Sequence, residues 1–487
     1  MNCAVLMERI EDDSSFTVLP VSVEKKSGVE ACSFARDAVG WFCMTNLARL
    51  SYYLFGAMGR LHWKEGKIRK YQNKRLRKVV KNAFENVPFY RQLFKAARVH
   101  PSDIRTVDDL NKLPIIRKSD MKNAHVDDLI SKAYDVNDLK VIRTGGSTGE
   151  PFSVYICERE DDWRKAIYMR ANISCGQRPR DRWVAVMEAE RAVETTHFQR
   201  CIGVFAQIIV PVTWKRTAQL QFIEKVNPNI LDGDSGVLWL LAKEAELQDL
   251  KSIRPRIIFG SNELIDQRSR NYLERVFGAP YYDQYGSTEI DRCAWQCPEQ
   301  HGYHMDIDSV IMQCVDEEGE EVELGEKGEI VCTSLFNYAM PFIRYNLQDV
   351  GVPAKDECSC GRRLPLMELI EGRSNSFLVF PDEQTVAPLS FIETIHAYSF
   401  VKEISQYRVV QKRKDLVEIY VKKVTDDIDE ESLSKRLLTN VLEGLAKLEK
   451  VDVSKVRFEV KFVDEIPLSL RGKLNVIVSF VQSNSAS

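Results

Sequence analysis

The hydrophobic pattern predicts two helices in the first hundred residues. Between Tyr71 and Ala97, apolar residues recur at helical spacing, and Pro88 then ends the run. The stretch from Val39 to Met58 is almost wholly apolar, but Asn46 and Arg49 interrupt it. It therefore predicts a buried or interfacial helix rather than a membrane span. The apolar positions of the first run are Leu76, Val79, Val80, Ala83 and Phe84.

Alternating polar and apolar residues predict strands in two other places. Residues 139–142 and 152–156 are β-branched strand candidates on either side of a glycine-rich segment, which gives a strand-loop-strand element. Near the C-terminus the pattern predicts a small α+β unit around one helix, Glu430 to Leu448. The strands expected in that unit lie near 407–410, 416–421, 456–463 and 474–481.

Composition narrows the class of protein. A chain of 487 residues exceeds the usual size of one core, so two or more domains are expected. The formal net charge is −3, with basic and acidic residues interspersed, and nucleic acid is not an expected partner. Twelve cysteines without a cleavable signal pattern indicate reduced thiols and a cytoplasmic location.

Five polar segments, far apart in sequence, carry the candidate chemistry. Each is weak alone, but their order and spacing together predict one ATP site. Three glycines and two hydroxyls in the first segment let backbone N–H groups face phosphates, although the Gly-Lys-Ser/Thr of a Walker A loop is absent. The segments are RTGGSTGEP (143–151), YGSTE (285–289), RYNLQD (344–349), GRSN (372–375) and PLSLRGK (467–473).

Together with Asn86-Val-Pro-Phe-Tyr90 and Cys358-Ser-Cys360-Gly, these segments give a family resemblance. The chain resembles the adenylate-forming superfamily of acyl-CoA synthetases, adenylation domains and luciferases. It looks most like the phenylacetate-CoA ligase branch, especially relatives encoded with capsule biosynthesis. The resemblance implies an α/β fold with a large N-terminal domain of mixed sheets and helices and a small mobile α+β lid. The expected limits are 1–70 for a partly helical extension, 71–372 for the large domain and 373–487 for the lid.

The resemblance also implies roles for single residues. Lys473 would act on the carboxylate and the α-phosphate, Thr288 would touch the α-phosphate, and Glu289 would hold Mg²⁺. Tyr285 would stack on the purine, and Asn375 would be the hinge of the lid. The residues expected to bind ATP are Thr144, Gly145, Gly146, Ser147, Thr148, Gly149, Ser261, Asn262, Glu263, Tyr285, Gly286, Ser287, Asp349 and Arg373.

A second metal is indicated by soft ligands. Cys297, His304, Cys358 and Cys360 combine Cys-x6-His with Cys-x-Cys and would suit a closed, structural zinc site. Cys293 and His301 are competing ligands, and unrelated reduced thiols are the alternative.

The expected reaction is activation of a small carboxylic acid by ATP as acyl-AMP, followed by acyl transfer to CoA or to an amine. Two residues depart from the family pattern: Glu150 follows the glycine loop where many relatives have lysine, and Asn375 replaces the usual hinge aspartate. A non-catalytic relative that only binds nucleotide is therefore an alternative. Nucleotidyl transfer to a hydroxyl is a third alternative. Phenylacetate-CoA ligases often have Gly-Pro-Gly after the Thr-Glu motif, where this chain has Ile290 to Cys293. Phenylacetate is therefore not the expected acid. The sequence leaves a homodimer open.

Overall fold

The computed structural model describes residues 34–143, 152–188, 197–373, 376–396, 403–448, 452–467 and 476–481. The helices are α1 Phe34–Arg60, α2 Glu65–Asn86, α3 Pro88–Ala96, α4 Lys118–Lys122, α5 Val126–Leu129, α6 Glu158–Ser174, α7 His197–Ile202, α8 Arg216–Val226, α9 Ser235–Leu247, α10 Gln267–Phe277, α11 Pro388–His396 and α12 Glu430–Lys447. The strands are β1 Lys140–Arg143, β2 Ser153–Ile156, β3 Trp183–Val186, β4 Gln207–Val210, β5 Ile230–Asp234, β6 Ile257–Ser261, β7 Tyr281–Ser287, β8 Asp291–Trp295, β9 Tyr303–Met305, β10 Val310–Val315, β11 Gly328–Ser334, β12 Tyr345–Pro353, β13 Leu366–Arg373, β14 Leu378–Val379, β15 Thr385–Val386, β16 Ile404–Arg413, β17 Leu416–Lys423, β18 Arg457–Phe462 and β19 Ile477–Ser479.

An 11-stranded sheet organises the larger part of the molecule, in the order β10-β11-β12-β13-β9-β8-β7-β6-β5-β3-β4. The strands from β4 to β7 pair in parallel, and those from β7 to β10 pair antiparallel. Strand β3 reads Trp-Val-Ala-Val and is buried throughout, as expected for a parallel strand with both faces covered. The mixed α/β fold expected from the sequence is confirmed.

The C-terminal region has its own sheet and its own core. Strands β18-β17-β16-β19 form a four-stranded sheet, and α12 packs on it through leucines and a valine at helical spacing. Asp429 caps this helix by accepting from the N–H groups of Glu431 and Ser432. The predicted helix and strands of this unit are confirmed, whereas the domain limits stay a prediction.

The predicted β1–β2 element is also confirmed. Lys140 pairs with Ile156 and Arg143 with Ser153 in an antiparallel ladder. The glycine-rich segment that joins the two strands, residues 144–151, lies outside the described residues.

The amphipathic helix that Pro88 was expected to end is confirmed, but the turn expected after it is wrong. Helix α2 begins earlier, at Glu65, and ends at Asn86, while Pro88 occupies the first turn of a second helix, α3. Proline lacks an N–H, and the first helical position needs none, so Pro88 starts a helix as readily as it stops one.

The apolar stretch from Val39 to Met58 lies in α1, as predicted for a helix. The end of α1 is fixed because Arg60 is buried and its Nε donates to Asp308 Oδ2 at 2.5 Å. Among the described residues no helix meets the length and apolarity needed to span a membrane. The interspersed charge expected from composition does not hold along α2, which carries eight basic and two acidic residues.

Candidate functional site

Three neighbouring parallel strands end at one edge of the large sheet, which we call the carboxyl edge and define by Asp234, Ser261 and Ser287. These residues close β5, β6 and β7. The carboxyl ends of parallel strands are the usual location of ligands in open α/β sheets. The predicted segments 261–263 and 285–289 both lie at this edge, which makes it the candidate active site.

Tyr285 brings two strands of the site together. Its hydroxyl donates to Asp349 Oδ2 at 2.7 Å, and Asp349 on β12 lies opposite Arg373 on β13. Burial, and then the neighbouring Asp349 carboxylate, raise the pKa of Tyr285 well above its usual value, so the phenol keeps its proton and remains a donor. Three residues predicted from separate segments therefore meet at one place, although their roles toward ATP stay predictions.

Glu289 is buried, with 6% of its surface exposed. Of its two carboxylate oxygens, Oε1 accepts the hydrogen bonds that the described residues donate. Lys118 Nζ and the Tyr345 hydroxyl each donate to Oε1 at 3.1 Å. Burial, and then the nearby Glu289 carboxylate, raise the pKa of Tyr345 far above its usual value. Among the described residues none donates a hydrogen bond to Oε2, so this oxygen is available to a cation.

The backbone around Glu289 is held in place by two buried side chains. Arg164 on α6 donates to the carbonyl oxygens of Thr288 at 3.2 Å and Glu289 at 2.9 Å. Asn337 Nδ2 donates to the same Glu289 carbonyl at 3.0 Å. Charged donors make stronger hydrogen bonds than neutral ones, so this turn after β7 is fixed before any ligand binds.

Lys118 reaches Glu289 because its segment pairs with β12. Ile116 forms an isolated parallel bridge with Tyr345, accepting from the Asn346 N–H at 2.8 Å and donating to the Arg344 carbonyl at 2.8 Å. Lys118 follows two residues later at the start of α4. Sequence reasoning missed Lys118, Arg164 and Asn337, since no local motif marks them, whereas Tyr345 lies inside a segment that was singled out.

At the end of β6, the predicted side chains bind the start of α9. Asn262 has a φ of +67° and its Nδ2 donates to Asp234 Oδ1 at 2.7 Å, while Glu263 Oε2 accepts from the Gly236 N–H at 2.8 Å. Gly260 is required by close packing, because a Cβ there would lie 1.7 Å from the Tyr281 hydroxyl. The backbone of this strand end is therefore rigid, and its expected contact with adenine stays a prediction.

Several predicted site residues lie outside the described residues. They are Thr144, Gly145, Gly146, Ser147, Thr148, Gly149, Asn375 and Lys473. Arg344, the first residue of another predicted segment, has a structural role, because it is buried and donates to the carbonyls of Asn111, Leu113 and Gly319.

The four predicted soft ligands come together from β9, from the residue two positions after β8 and from the segment between β12 and β13. The potential ligand atoms of Cys297, His304, Cys358 and Cys360 all lie within 4.8 Å of one another. Cys297 Sγ is 3.6 Å from Cys358 Sγ, and Cys360 Sγ is 3.3 Å from His304 Nε2. His304 Nδ1 lies 3.3 Å from the Leu364 carbonyl, a partner that fixes the tautomer and directs Nε2 to the cluster.

The competing ligands do not join this cluster. Cys293 lies in the main hydrophobic core with Cys332 as its neighbour, and that contact together with burial raises the pKa of the Cys293 thiol. His301 is exposed. The four predicted ligands are therefore grouped in space, while a bound zinc and the alternative of reduced thiols without a metal both stay predictions.

Comparison with known proteins gives relatives in sequence and in structure. The chain is 28% identical over 331 residues to a phenylacetate-coenzyme A ligase of Escherichia coli, covering 63% of this chain and 71% of the relative. It is 23% identical over 431 residues to Protein CapK of Staphylococcus aureus, covering 84% and 89%. A 2-hydroxyisobutyryl-CoA ligase in the postadenylation state aligns with a TM-score of 0.70 and 18% identity, covering 83% of this chain and 88% of that one. No family model matches the chain.

The fold is that of adenylate-forming ligases, and the sequence relatives are of the same class. The resemblance seen in the sequence is thereby confirmed at the level of the superfamily. Within that class, the chain is similar to phenylacetate-CoA ligases and to Protein CapK.

Proposed function

We propose that this protein activates a carboxylic acid with ATP as acyl-AMP, releases pyrophosphate, and then transfers the acyl group to CoA. The observation that carries the proposal is the one-sided bonding of Glu289 next to the Tyr285–Asp349 pair at the carboxyl edge. The similarity of the chain to phenylacetate-CoA ligases, which extends over about two thirds of its length, supports CoA as the acceptor.

In the first half-reaction a carboxylate oxygen of the acid attacks the α-phosphorus, and the bond from that phosphorus to the pyrophosphate oxygen breaks. The chain's task is to place the two reactants and to offset charge, since no protein nucleophile is needed. Tyr285, Asp349 and Arg373 are proposed to hold the nucleoside side. Thr288, fixed through its own carbonyl by Arg164, is proposed to donate its hydroxyl to the α-phosphate.

Glu289 fits the proposed magnesium site because one of its carboxylate oxygens is unbonded by the described residues and Mg²⁺ prefers oxygen ligands. A magnesium ion held by Glu289 would supply positive charge where the leaving pyrophosphate gains negative charge. Lys118 offsets the Glu289 charge in the absence of the ion, and its side chain is 31% exposed and can move aside. The magnesium and the proposed role of Lys473 rest on the family resemblance as well.

In the second half-reaction the CoA thiol loses its proton and its sulfur attacks the acyl carbon. The carbon–oxygen bond of the mixed anhydride breaks, and AMP leaves with that oxygen. Exclusion of water between the two steps protects the acyl-AMP from hydrolysis. The small C-terminal region is proposed to provide this cover as a lid, with Asn375 at its hinge.

The test is acid-dependent exchange of pyrophosphate into ATP across a library of carboxylic acids, with CoA omitted and a deazaflavin cofactor as a control. We expect exchange with one class of acid and thioester formation once CoA is added. Exchange with the deazaflavin alone would indicate nucleotidyl transfer, and ATP binding without exchange in any condition would contradict the proposal.

The Cys/His cluster is proposed to hold a structural zinc ion. Four sulfur and imidazole ligands from three separate segments fit a closed tetrahedral site, which has no open position for catalysis. Metal analysis of the purified protein should give about one zinc per chain, and Cys358→Ser should lower that content and the thermal midpoint. Cys201→Ser, at an exposed cysteine, is the matched control. The zinc site would be contradicted if the native protein contains no zinc and Cys358→Ser leaves the thermal midpoint unchanged.

A further inference from the structure

One face of α2 is strongly basic. The opposite face packs into the main core through Leu76, Val79, Val80 and Ala83, so the helix presents a fixed side to solvent. With eight basic and two acidic residues, α2 has a net charge of +6 in a chain whose total is −3. The exposed basic residues of the helix are Lys67, Lys70, Lys74, Arg77, Lys78 and Lys81.

The centre of this face has no compensating carboxylate. Lys70, Lys74 and Lys78 follow one another at a spacing of four residues, and among the described residues no acidic side chain forms an ion pair with them. The two acidic residues of α2, Glu65 and Glu85, lie at its ends. Like charges four residues apart on a helix repel and destabilise it, so this arrangement favours an anionic partner in solution.

Exposed aromatic residues lie on the preceding helix. Tyr52 is 74% exposed and Phe55 is 79% exposed, and only four residues separate α1 from α2. These rings are on an anchored part of α1, because Arg49 pairs with Glu158 at 3.2 Å and Arg60 with Asp308 at 2.5 Å. A lysine-rich helix face together with exposed aromatic residues on the preceding helix is the composition of an interfacial membrane-binding surface.

We propose that the basic face of α2 and the two aromatic residues of α1 form a docking surface for an anionic lipid bilayer. The lysine ammonium groups would contact anionic headgroups, and Tyr52 and Phe55 would enter the boundary between headgroups and acyl chains. The lipid surface is favoured over nucleic acid because exposed apolar rings have a place in the bilayer boundary, while duplex phosphates offer them none. The catalytic residues proposed above take no part in this surface.

The test is sedimentation of the full chain with vesicles of phosphatidylglycerol and phosphatidylcholine or of phosphatidylcholine alone. We expect binding only with the anionic lipid, and at least a tenfold loss for Lys70→Glu, Lys74→Glu and Lys78→Glu combined. Reversing Lys215, Lys435 and Lys447, three exposed lysines elsewhere, should leave binding within about twofold. Tyr52→Ser with Phe55→Ser should weaken binding severalfold and leave its salt dependence unchanged, because these rings carry no charge.

Thermal melts of all variants confirm that they fold, which these exposed positions should allow. Equal binding to both vesicle types, or full binding by the charge-reversed α2 variant, would overturn the proposal. Failure to bind vesicles together with salt-dependent binding of duplex DNA through the same lysines would also overturn it and identify nucleic acid as the partner.

Discussion

Glu289 and Asp308 are both buried carboxylates that meet a cation, yet their surroundings differ. Asp308 accepts from Arg60 at 2.5 Å and from Arg170 at 2.8 Å on both oxygens, and these arginines are themselves buried. Glu289 meets one lysine, which is 31% exposed, and only through Oε1. A carboxylate closed in on all sides stabilises the fold, whereas one that keeps a free oxygen and a displaceable partner can serve a ligand. Burial alone does not distinguish the two.

The largest expected effect is on the buried ion pairs around Asp308. Arg170→Met should destabilise the protein by about 3–5 kcal/mol, because it leaves Asp306 and part of Asp308 buried without a counter-ion. Urea unfolding measures the change. Arg275→Met is the matched control, since Arg275 pairs with Glu246 on the surface and should cost about 1 kcal/mol or less. A cost for Arg170→Met as small as the control's would break the comparison.

The second largest effect is expected at Glu289. Glu289→Gln should reduce acid-dependent ATP–pyrophosphate exchange by about 10²-fold, since charge stabilisation of this kind is worth roughly that factor. Its effect on unfolding should stay near 1 kcal/mol, because the amide can still accept from Lys118 and Tyr345. If Glu289→Gln instead unfolds the protein while exchange per folded molecule is unchanged, Glu289 is a structural residue like Asp308.

A smaller effect is expected at the Tyr285–Asp349 pair. Tyr285→Phe removes one hydrogen bond to Asp349 and should cost about 1 kcal/mol, which appears as a severalfold rise in the KM for ATP. Phe keeps the ring, so kcat should change little. Equal losses in kcat and in kcat/KM would show that the hydroxyl acts in the transition state.

The smallest effect is expected at Glu418, a third buried carboxylate. Both of its oxygens accept from lysines, and those lysines are partly exposed. Burial raises the pKa of Glu418, but the bonds from Lys412 and Lys461 outweigh it and lower the pKa to about 2. A lowered folded pKa stabilises the fold above the unfolded value near 4.3, and this contribution is lost as pH falls toward 2.

Glu418→Gln should therefore flatten the stability profile in that acidic window, by about 1 kcal/mol or less given the exposed partners. Thermal midpoints measured from pH 5 to pH 2 check it. An identical slope for variant and native protein would show that the lysines contribute nothing to stability, and would place Glu418 outside the comparison.

Local patterns were sufficient for the elements whose packing partners lie nearby. Helix α12 and the β1–β2 hairpin follow from periodicity, because each buries one face against a neighbouring part of the chain. Pro88 misled because proline suits both the residue after a helix and the first turn of one. The order of the 11 strands depends on pairings between distant segments, which no local window contains.

The same distinction holds within the site. Tyr285, Asp349, Glu289 and the Cys/His cluster were found because their residue types and motifs are distinctive. Lys118 was not, since it reaches Glu289 only through the pairing of Ile116 with β12, and an isolated lysine has no recognisable motif. The difference between the open and closed carboxylates also depends on contacts across more than 100 residues of sequence.

The most direct test of acyl-adenylation follows one oxygen atom. The acid identified by exchange is prepared with both carboxylate oxygens as oxygen-18, and the protein converts it with ATP and CoA. Because the acid oxygen that attacks phosphorus stays on phosphorus when sulfur displaces AMP, we predict one oxygen-18 atom in each AMP, measured by mass spectrometry. Unlabelled AMP, or ADP in place of AMP, would contradict activation of the acid at the carboxyl edge.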